Sequence, residues 1–257
     1  VFSTPYPETS WQLPWIHSLF GNAAAVGTGI AAALKVKGRS RDVRVIAQGG
    51  DGGTTDIGFG CLSGMFERND DVLYICYDNE AYMNTGVQRS SATPPAARTA
   101  TTMAVGPEPG AVFGQGKNLP LIAMAHEIPY VATATVADLR DLEAKVERAM
   151  SLHGARYLHI LVPCPLGWGA ASHDTIKLAR LARENRAVPG VRGRARRGHL
   201  GDARSAAACR WRTTCGRRSA LPTCSPARAG PTCSRASRPS RPQHPPLRPA
   251  RRRREDA

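Results

Sequence analysis

The sequence predicts an α/β fold: a parallel sheet with helices on both faces, followed by a disordered Arg/Pro-rich tail. Three observations carry this. Short apolar runs suited to strands alternate with Ala-rich or amphipathic stretches suited to helices, the pattern of a parallel sheet. One run, VLYICY at 72–77, is apolar throughout, as in a strand covered on both faces. The composition then changes abruptly after residues 186–189.

Taken in order, Trp15 to Lys37 is Ala-rich with few breakers and predicts a buried helix, with Gly21, Gly27 and Gly29 as close-packing points. Val43 to Ala47 is a short β-branched run and predicts a strand. A glycine-rich turn follows, and Ile57 to Phe66 predicts a helix. Val72 to Tyr77 is the next strand, Tyr130 to Val136 another. Ala137 to Leu152 predicts an amphipathic helix, because Leu139, Leu142, Val146 and Met150 recur at helical spacing. Tyr157 to Val162 predicts a further strand and His173 to Asn185 a further helix. Ligands of such sheets bind at the carboxyl ends of the strands, so the chemistry is sought there.

The 257 residues, 42% of them hydrophobic, suffice to bury a core. The formal charge is +15, yet residues 1–189 carry 17 basic and 17 acidic side chains, and residues 190–257 carry 18 Arg against three acids. The body therefore lacks a basic nucleic-acid signature. The tail has eight Pro, no Lys, Ile, Phe or Tyr, and too little apolar surface to offset chain entropy. It reads as disordered, or as a GC-rich gene translated in the wrong frame, which an intact reading frame across residues 186–189 would refute. Its cysteines, Cys209, Cys215, Cys224 and Cys233, lack the close pairs of zinc sites. No run of 18 apolar residues predicts a membrane helix. Val1 to Trp11 lacks the features of a signal peptide, and Val1 in place of Met reads as a fragment or processed chain. Three body cysteines, Cys61, Cys76 and Cys164, without an export signal fit reduced thiols and a cytoplasmic protein.

The first strand runs into Gly49-Gly50-Asp51-Gly52-Gly53, and the second ends in Asp78-Asn79-Glu80-Ala81-Tyr82-Met83-Asn84-Thr85-Gly86. These turns put oxygen ligands on neighbouring strand ends, as Mg²⁺ requires when it is shared with a phosphate. The glycines let backbone N–H groups approach diphosphate oxygens, and a helix opening near Asp56 would aim its positive end at them. Competing readings are a helix cap for Asp51, a positive-φ turn residue for Asn84 and a buried small hydrophobe for Cys164. Cys61 and Cys76 read as core, and His17, His126 and His159 as structural.

These motifs, with VFSTPYPETSW at 1–11, PWIHSLFGNAAAV at 14–26, GDGGTTDIGFG at 50–60, YDNEAYMNTGVQRSSATP at 77–94, IPYVATATV at 128–136 and PCPLGW at 163–168, carry a family resemblance. The body resembles the thiamine-diphosphate-binding β subunit of 2-oxoacid:ferredoxin oxidoreductases, pyruvate-type members (pyruvate synthases) above all. The resemblance implies a thiamine-diphosphate-binding domain at 1–189, with 190–257 outside it. It implies that Asp51, the Asn79 side-chain oxygen and the Ala81 carbonyl bind Mg²⁺, and that Gly50, Gly52 and Gly53 cradle the diphosphate. Asn84 would act beside the thiazolium and the 2-oxoacid, and Thr85 would close the turn. Cys164 matches the last ligand of a [4Fe-4S] cluster whose other three ligands would precede Val1, and one thiolate cannot hold such a cluster.

The implied reaction is oxidative decarboxylation of pyruvate with coenzyme A, electrons passing to ferredoxin. Partner subunits of α, γ and δ type are implied, one supplying a glutamate for which this chain offers no candidate. Asn84, a neutral amide, favours pyruvate over 2-oxoglutarate, and no Arg or Lys follows it before Arg89. The alternatives are another 2-oxoacid (branched-chain or 2-oxoglutarate), a non-catalytic basic-tailed nucleic-acid binder, or a frame-shifted product that binds nothing.

Overall fold

A computed structural model describes residues 12–112 and 114–184, together with the backbone of Arg192–Gly193. The expectations for residues 1–11 and for most of the Arg-rich tail lie outside the described residues.

The sheet has the order β1-β2-β4-β3-β5. Strands β1 (Val45–Gly50), β2 (Val72–Asp78), β3 (Tyr130–Thr135) and β4 (Arg156–Leu161) are parallel, and β5 (Arg192–Gly193) adds two antiparallel residues beside β3. Helices α1 (Ala23–Val36), α2 (Phe59–Glu67) and α3 (Leu119–Ala125) supply Ala24, Leu62, Met65, Phe66, Leu119 and Ala123 to one buried layer. Val45, Ala47, Val72, Tyr74, Cys76, Val131 and Tyr157 meet them from the sheet. The opposite face, Leu73, Ile75, Ala132, Ala134, Leu158 and Ile160, packs against α4 (Leu139–Met150). Burial on both faces explains why VLYICY reads as a continuous apolar run. The short α5 (Pro165–Trp168) and then α6 (Thr175–Glu184) follow β4.

Several expected boundaries move, for local reasons. The first helix begins at Ala23 instead of Trp15, because Gly21 turns the chain at φ +82° under Ile57 and a Cβ there would meet the Ile57 side chain at 2.7 Å. Gly27 is a true close approach, with Ala47 and Val72 within 3.3 Å of where a Cβ would stand, whereas Gly29 has open space. Strand β1 extends through Gly49 and Gly50. A single π-helical turn, Gly52–Ile57, then precedes α2, so helical backbone opens directly after Asp51 and not near Asp56. Cys61 is exposed on α2, against the core reading, and Cys76 is buried as expected. On α4 the periodicity holds for Leu142, Val146 and Met150, but Leu139 is exposed. Helix α3 escaped the sequence reading; Asn118 caps it, its side chain accepting from Leu121 N at 3.2 Å, and Pro120 stands at its start.

Candidate functional site

Asp51 leaves the end of β1 and Asn79 the end of β2, two strands paired so that Gly50 lies opposite Tyr77. The two residues therefore stand together at the carboxyl edge of the sheet. Asp51 stands ahead of the π-helical turn, but its side chain makes no capping bond. That disposes of the cap reading. The carboxylate is 2% exposed and turns inward, where Ser90 donates its hydroxyl to Oδ2. One end of the Asn79 amide lies 3.0 Å from Asp51 Oδ1 and 2.7 Å from the Ala81 carbonyl oxygen. With nitrogen at that end the amide donates to both; with oxygen there, three oxygens converge with no proton between them. Neighbouring oxygens of an octahedral Mg²⁺ shell at 2.0–2.1 Å stand about 2.9 Å apart, and these two separations lie close to that value.

The electrostatics agree. Burial, aided by the nearby Asp78 carboxylate, raises Asp51 from the ordinary 3.8 to about 7, against the lowering effect of the Ser90 hydrogen bond. A cation among these oxygens would reverse that balance. Asp78 itself is bound: Oδ1 accepts from Glu80 N at 2.8 Å, and Oδ2 lies 2.8 Å from His159 Nε2. Tyr157 OH lies 2.7 Å from His159 Nδ1. Burial lowers the His159 pKa, but Cys76 and Asp78 outweigh it and the net direction is well upward.

The glycines divide by role. A Cβ on Gly52 would lie 2.3 Å from the Tyr82 ring, and one on Gly58 would lie 2.3 Å from Gly21 O and 2.4 Å from Gly53 O. Gly53 has more room, its nearest neighbour being Gly21 N at 3.6 Å. Gly50 O accepts from Thr54 Oγ1 at 2.6 Å, and Asp51 O from Thr55 Oγ1 at 2.8 Å, which fixes the turn from within.

Asn84 and Thr85 are exposed on the loop after β2. The left-handed residues of that turn are Glu80, Gly86 and Val87, so the backbone does not demand an asparagine at 84. Thr85 and Gln88 bind one another, Gln88 Nε2 donating to Thr85 O at 2.6 Å. Cys164 starts α5, half-buried, its sulfur accepting from Gly167 N at 3.4 Å. The described cysteines lie apart in α2, β2 and at α5, and no group of three His, Cys, Asp or Glu gathers among the described residues. These residues alone do not fit a four-cysteine cluster. Beside α5 a cavity of about 360 Å³ is lined by Ala81, Met83, Arg98, Met103 and Trp168 among others.

The sequence reading missed Ser90, Asp56, Tyr82, Lys117, Asp78 and His159. Asp78, Tyr82, Ser90 and Asp56 lie inside the motifs at 50–60 and 77–94 without a role read from them, and His159, read as structural, binds Asp78. Lys117 lies outside every quoted motif, and no spacing announces it.

A parallel sheet that gathers a buried carboxylate, an amide and glycine turns at its carboxyl edge places them where ligands of such sheets bind. The profile of the thiamine pyrophosphate enzyme, C-terminal TPP-binding domain, matches residues 2–160, and the chain belongs to that family. It is 53% identical over 187 residues to pyruvate synthase subunit PorB of Methanosarcina barkeri, covering 72% of this chain and 62% of that protein. It is 43% identical over 186 residues to ketoisovalerate oxidoreductase subunit VorB of Pyrococcus abyssi, covering 71% of this chain and 60% of that one. Among solved structures it is similar to the 2-oxoglutarate:ferredoxin oxidoreductase of Magnetococcus marinus, at TM-score 0.51 and 29% identity, over 62% of this chain and 49% of that one. The chain thus spans about three fifths of the PorB and VorB relatives. Among the described residues no helix is long and apolar enough to cross a membrane.

Proposed function

We propose that this chain is the cofactor-binding β subunit of a pyruvate:ferredoxin oxidoreductase, acting with α-, γ- and δ-type partner subunits. The observation that carries the reading is the convergence of Asp51 Oδ1, the Asn79 amide and Ala81 O at the ends of β1 and β2. Identity with the pyruvate synthase subunits supports the substrate.

Asp51, Asn79 and the Ala81 carbonyl would hold Mg²⁺, Asp51 neutralising part of its charge. Backbone N–H groups around Gly50, Gly52 and Gly53 would receive the diphosphate, with Thr85 closing the cradle from the loop. Thiamine diphosphate, when bound, supplies a nucleophilic carbon for the keto group and an electron sink for decarboxylation. The overall reaction converts pyruvate and coenzyme A to acetyl-CoA, CO₂, a proton and two electrons that leave for ferredoxin. Asn84 would offer a neutral amide to the small oxoacid. The Tyr82 ring packs against Gly52 and its hydroxyl donates to Gly52 O or Asp56, which ties the loop after β2 to that turn. Cys164 would serve a [4Fe-4S] cluster only beside cysteines from outside the described residues.

A second reading, a branched-chain or 2-oxoglutarate enzyme, draws on the identity with the ketoisovalerate subunit and the likeness to the 2-oxoglutarate enzyme. The test is viologen reduction by the complex assembled with its partner subunits, supplied with Mg²⁺, thiamine diphosphate, coenzyme A and each oxoacid. Asp51→Ala should abolish Mg²⁺-dependent cofactor retention in that complex, measured by fluorescence quenching. Unchanged affinity would remove Asp51 from the site.

A further inference from the structure

Among its described residues the chain between β2 and α3, residues 79–118, carries only isolated bridges and turns, yet it holds Asn79, Ala81, Asn84, Thr85 and Ser90. Loops of such length in a packed domain are ordered by specific ties or not at all. Here the ties meet at one side chain. Asp56, at the end of the π-helical turn, accepts from Tyr82 OH at 3.1 Å and from Ser91 N at 3.0 Å through Oδ2. Its Oδ1 accepts from Lys117 Nζ at 3.1 Å. Lys117 also donates to Thr55 O at 2.6 Å and Ser91 Oγ at 3.2 Å, and its backbone N–H reaches Ser91 O at 2.9 Å. The ring of Tyr82 lies against Gly52, and its single phenolic proton is shared between Asp56 and Gly52 O, 3.1 Å away.

The start, the middle and the end of the loop are therefore fastened to the turn that bears Asp51. The middle fastening falls on Ser91, and its neighbour Ser90 is the residue that donates to Asp51. The two aspartates of one turn each hold one of two successive serines.

We propose that Asp56 is a positioning residue for the metal–diphosphate site: it latches the loop 79–118 onto the turn Gly52–Ile57 and so keeps Asn79, Ala81 and Ser90 in register with Asp51. This rests on the cofactor reading above. Asp56 acts through Tyr82, Ser91 and Lys117. Its carboxylate is suited to the task because three donors from separate points of one loop need an acceptor with several lone pairs and a full charge.

The experiment compares wild type, Asp56→Ala, Asp56→Asn and Lys117→Met in the full chain and in the assembled complex. Limited trypsin digestion reads the loop directly, peptide masses reporting cuts after Arg89 and Arg98 apart from those in the Arg-rich segment. Asp56→Ala should speed these two cuts by about tenfold, because the local opening that exposes them loses its opposing contacts. It should weaken thiamine diphosphate binding at saturating Mg²⁺ by about ten- to a hundredfold, the usual consequence of losing a residue that orients ligands. In the assembled complex the apparent KM for thiamine diphosphate should rise by a larger factor than kcat falls. Asp56→Asn, which still accepts from Tyr82 and Ser91, should recover most of the affinity. Lys117→Met, at a partly exposed side chain, keeps the test open if Asp56→Ala does not fold, and should shift both readouts in the same direction. A lower melting temperature with unchanged cuts and unchanged affinity would make Asp56 merely structural and overturn the proposal. Wild type that binds no thiamine diphosphate would overturn the cofactor reading instead, and unchanged cuts after Arg89 and Arg98 would then overturn the latch on its own.

Discussion

Ser90 donates its hydroxyl to Oδ2 of Asp51 across 39 residues of sequence, and both side chains are buried. The other carboxylate oxygen is thereby left to face Asn79. Ser90 is itself held, its Oγ accepting from Ala92 N at 3.2 Å and its backbone N–H donating to Thr93 Oγ1 at 2.9 Å. Hydrogen bonds of this kind, one step removed from a metal, set the orientation of the ligand.

Ser90→Ala should therefore reduce Mg²⁺ affinity in the presence of thiamine diphosphate by about ten- to a hundredfold. The fold should remain, since only one hydroxyl is deleted. Titration calorimetry with Mg²⁺ at fixed cofactor measures it. Affinity within twofold of wild type would mean that Asn79 alone orients the carboxylate.

The protonation of Asp51 gives a pH dependence. In the metal-free chain its pKa is raised to about 7, burial being the main cause and Asp78 the second. A carboxyl raised in this way resists ionisation in the fold, so it withdraws stability as pH climbs from about 4 through 7. A bound cation removes that cost and displaces the proton. The rise in melting temperature produced by Mg²⁺ with thiamine diphosphate should accordingly be larger at pH 8 than at pH 6. Equal rises would contradict a protonated Asp51 in the metal-free state.

Gly58 is the tightest point beneath the turn. A methyl group there would stand 2.3 Å from Gly21 O and 2.4 Å from Gly53 O, both backbone atoms that cannot swing aside. Gly58→Ala should destabilise the domain by about 1–3 kcal/mol and weaken cofactor binding, because relief requires the Gly52–Ile57 turn to move. Chemical denaturation of the variant checks the first part. A stability change below about 0.5 kcal/mol would show that the turn yields easily.

What the sequence made legible and what it did not follow from the range of the interactions. Strand β2 announced itself because burial on both faces leaves an unbroken apolar run, and Asp51 because a carboxylate among glycines is a poor cap. Asn79 was singled out by the family resemblance, and the structure brings its amide beside Asp51. The Asp56–Lys117 pair, 3.1 Å apart and 61 residues distant in sequence, left no local pattern. The overlong first helix shows the opposite error. Alanine content argued for helix from Trp15, but the packing of Gly21 beneath Ile57 demanded a left-handed turn that propensity cannot see. Arg98 was passed over for the same reason, because a cavity brings it beside Met83 while the chain order does not.

That last point bears on substrate. Asn84 is exposed on the loop after β2, and its neutral amide can bond a small oxoacid without supplying a cation for a second carboxylate. Arg98 lines the cavity with Glu80, Met83, Val87, Met103 and Leu166, so the same cavity carries a carboxylate as well as a cation among apolar side chains. A distal carboxylate entering that cavity would meet the repulsion of Glu80 as well as the attraction of Arg98, a cation exposed to water that screens its charge. The assembled complex should therefore show a higher kcat/KM for pyruvate than for 2-oxoglutarate, with a branched 2-oxoacid between them, because apolar walls tolerate added methyl groups. Discrimination against the dianion should reach at least about tenfold, the equivalent of 1.4 kcal/mol. Viologen reduction with each oxoacid at equal coenzyme A measures it. A higher constant for 2-oxoglutarate, abolished by Arg98→Ala, would reverse the assignment and make Arg98 the residue that selects the second carboxylate.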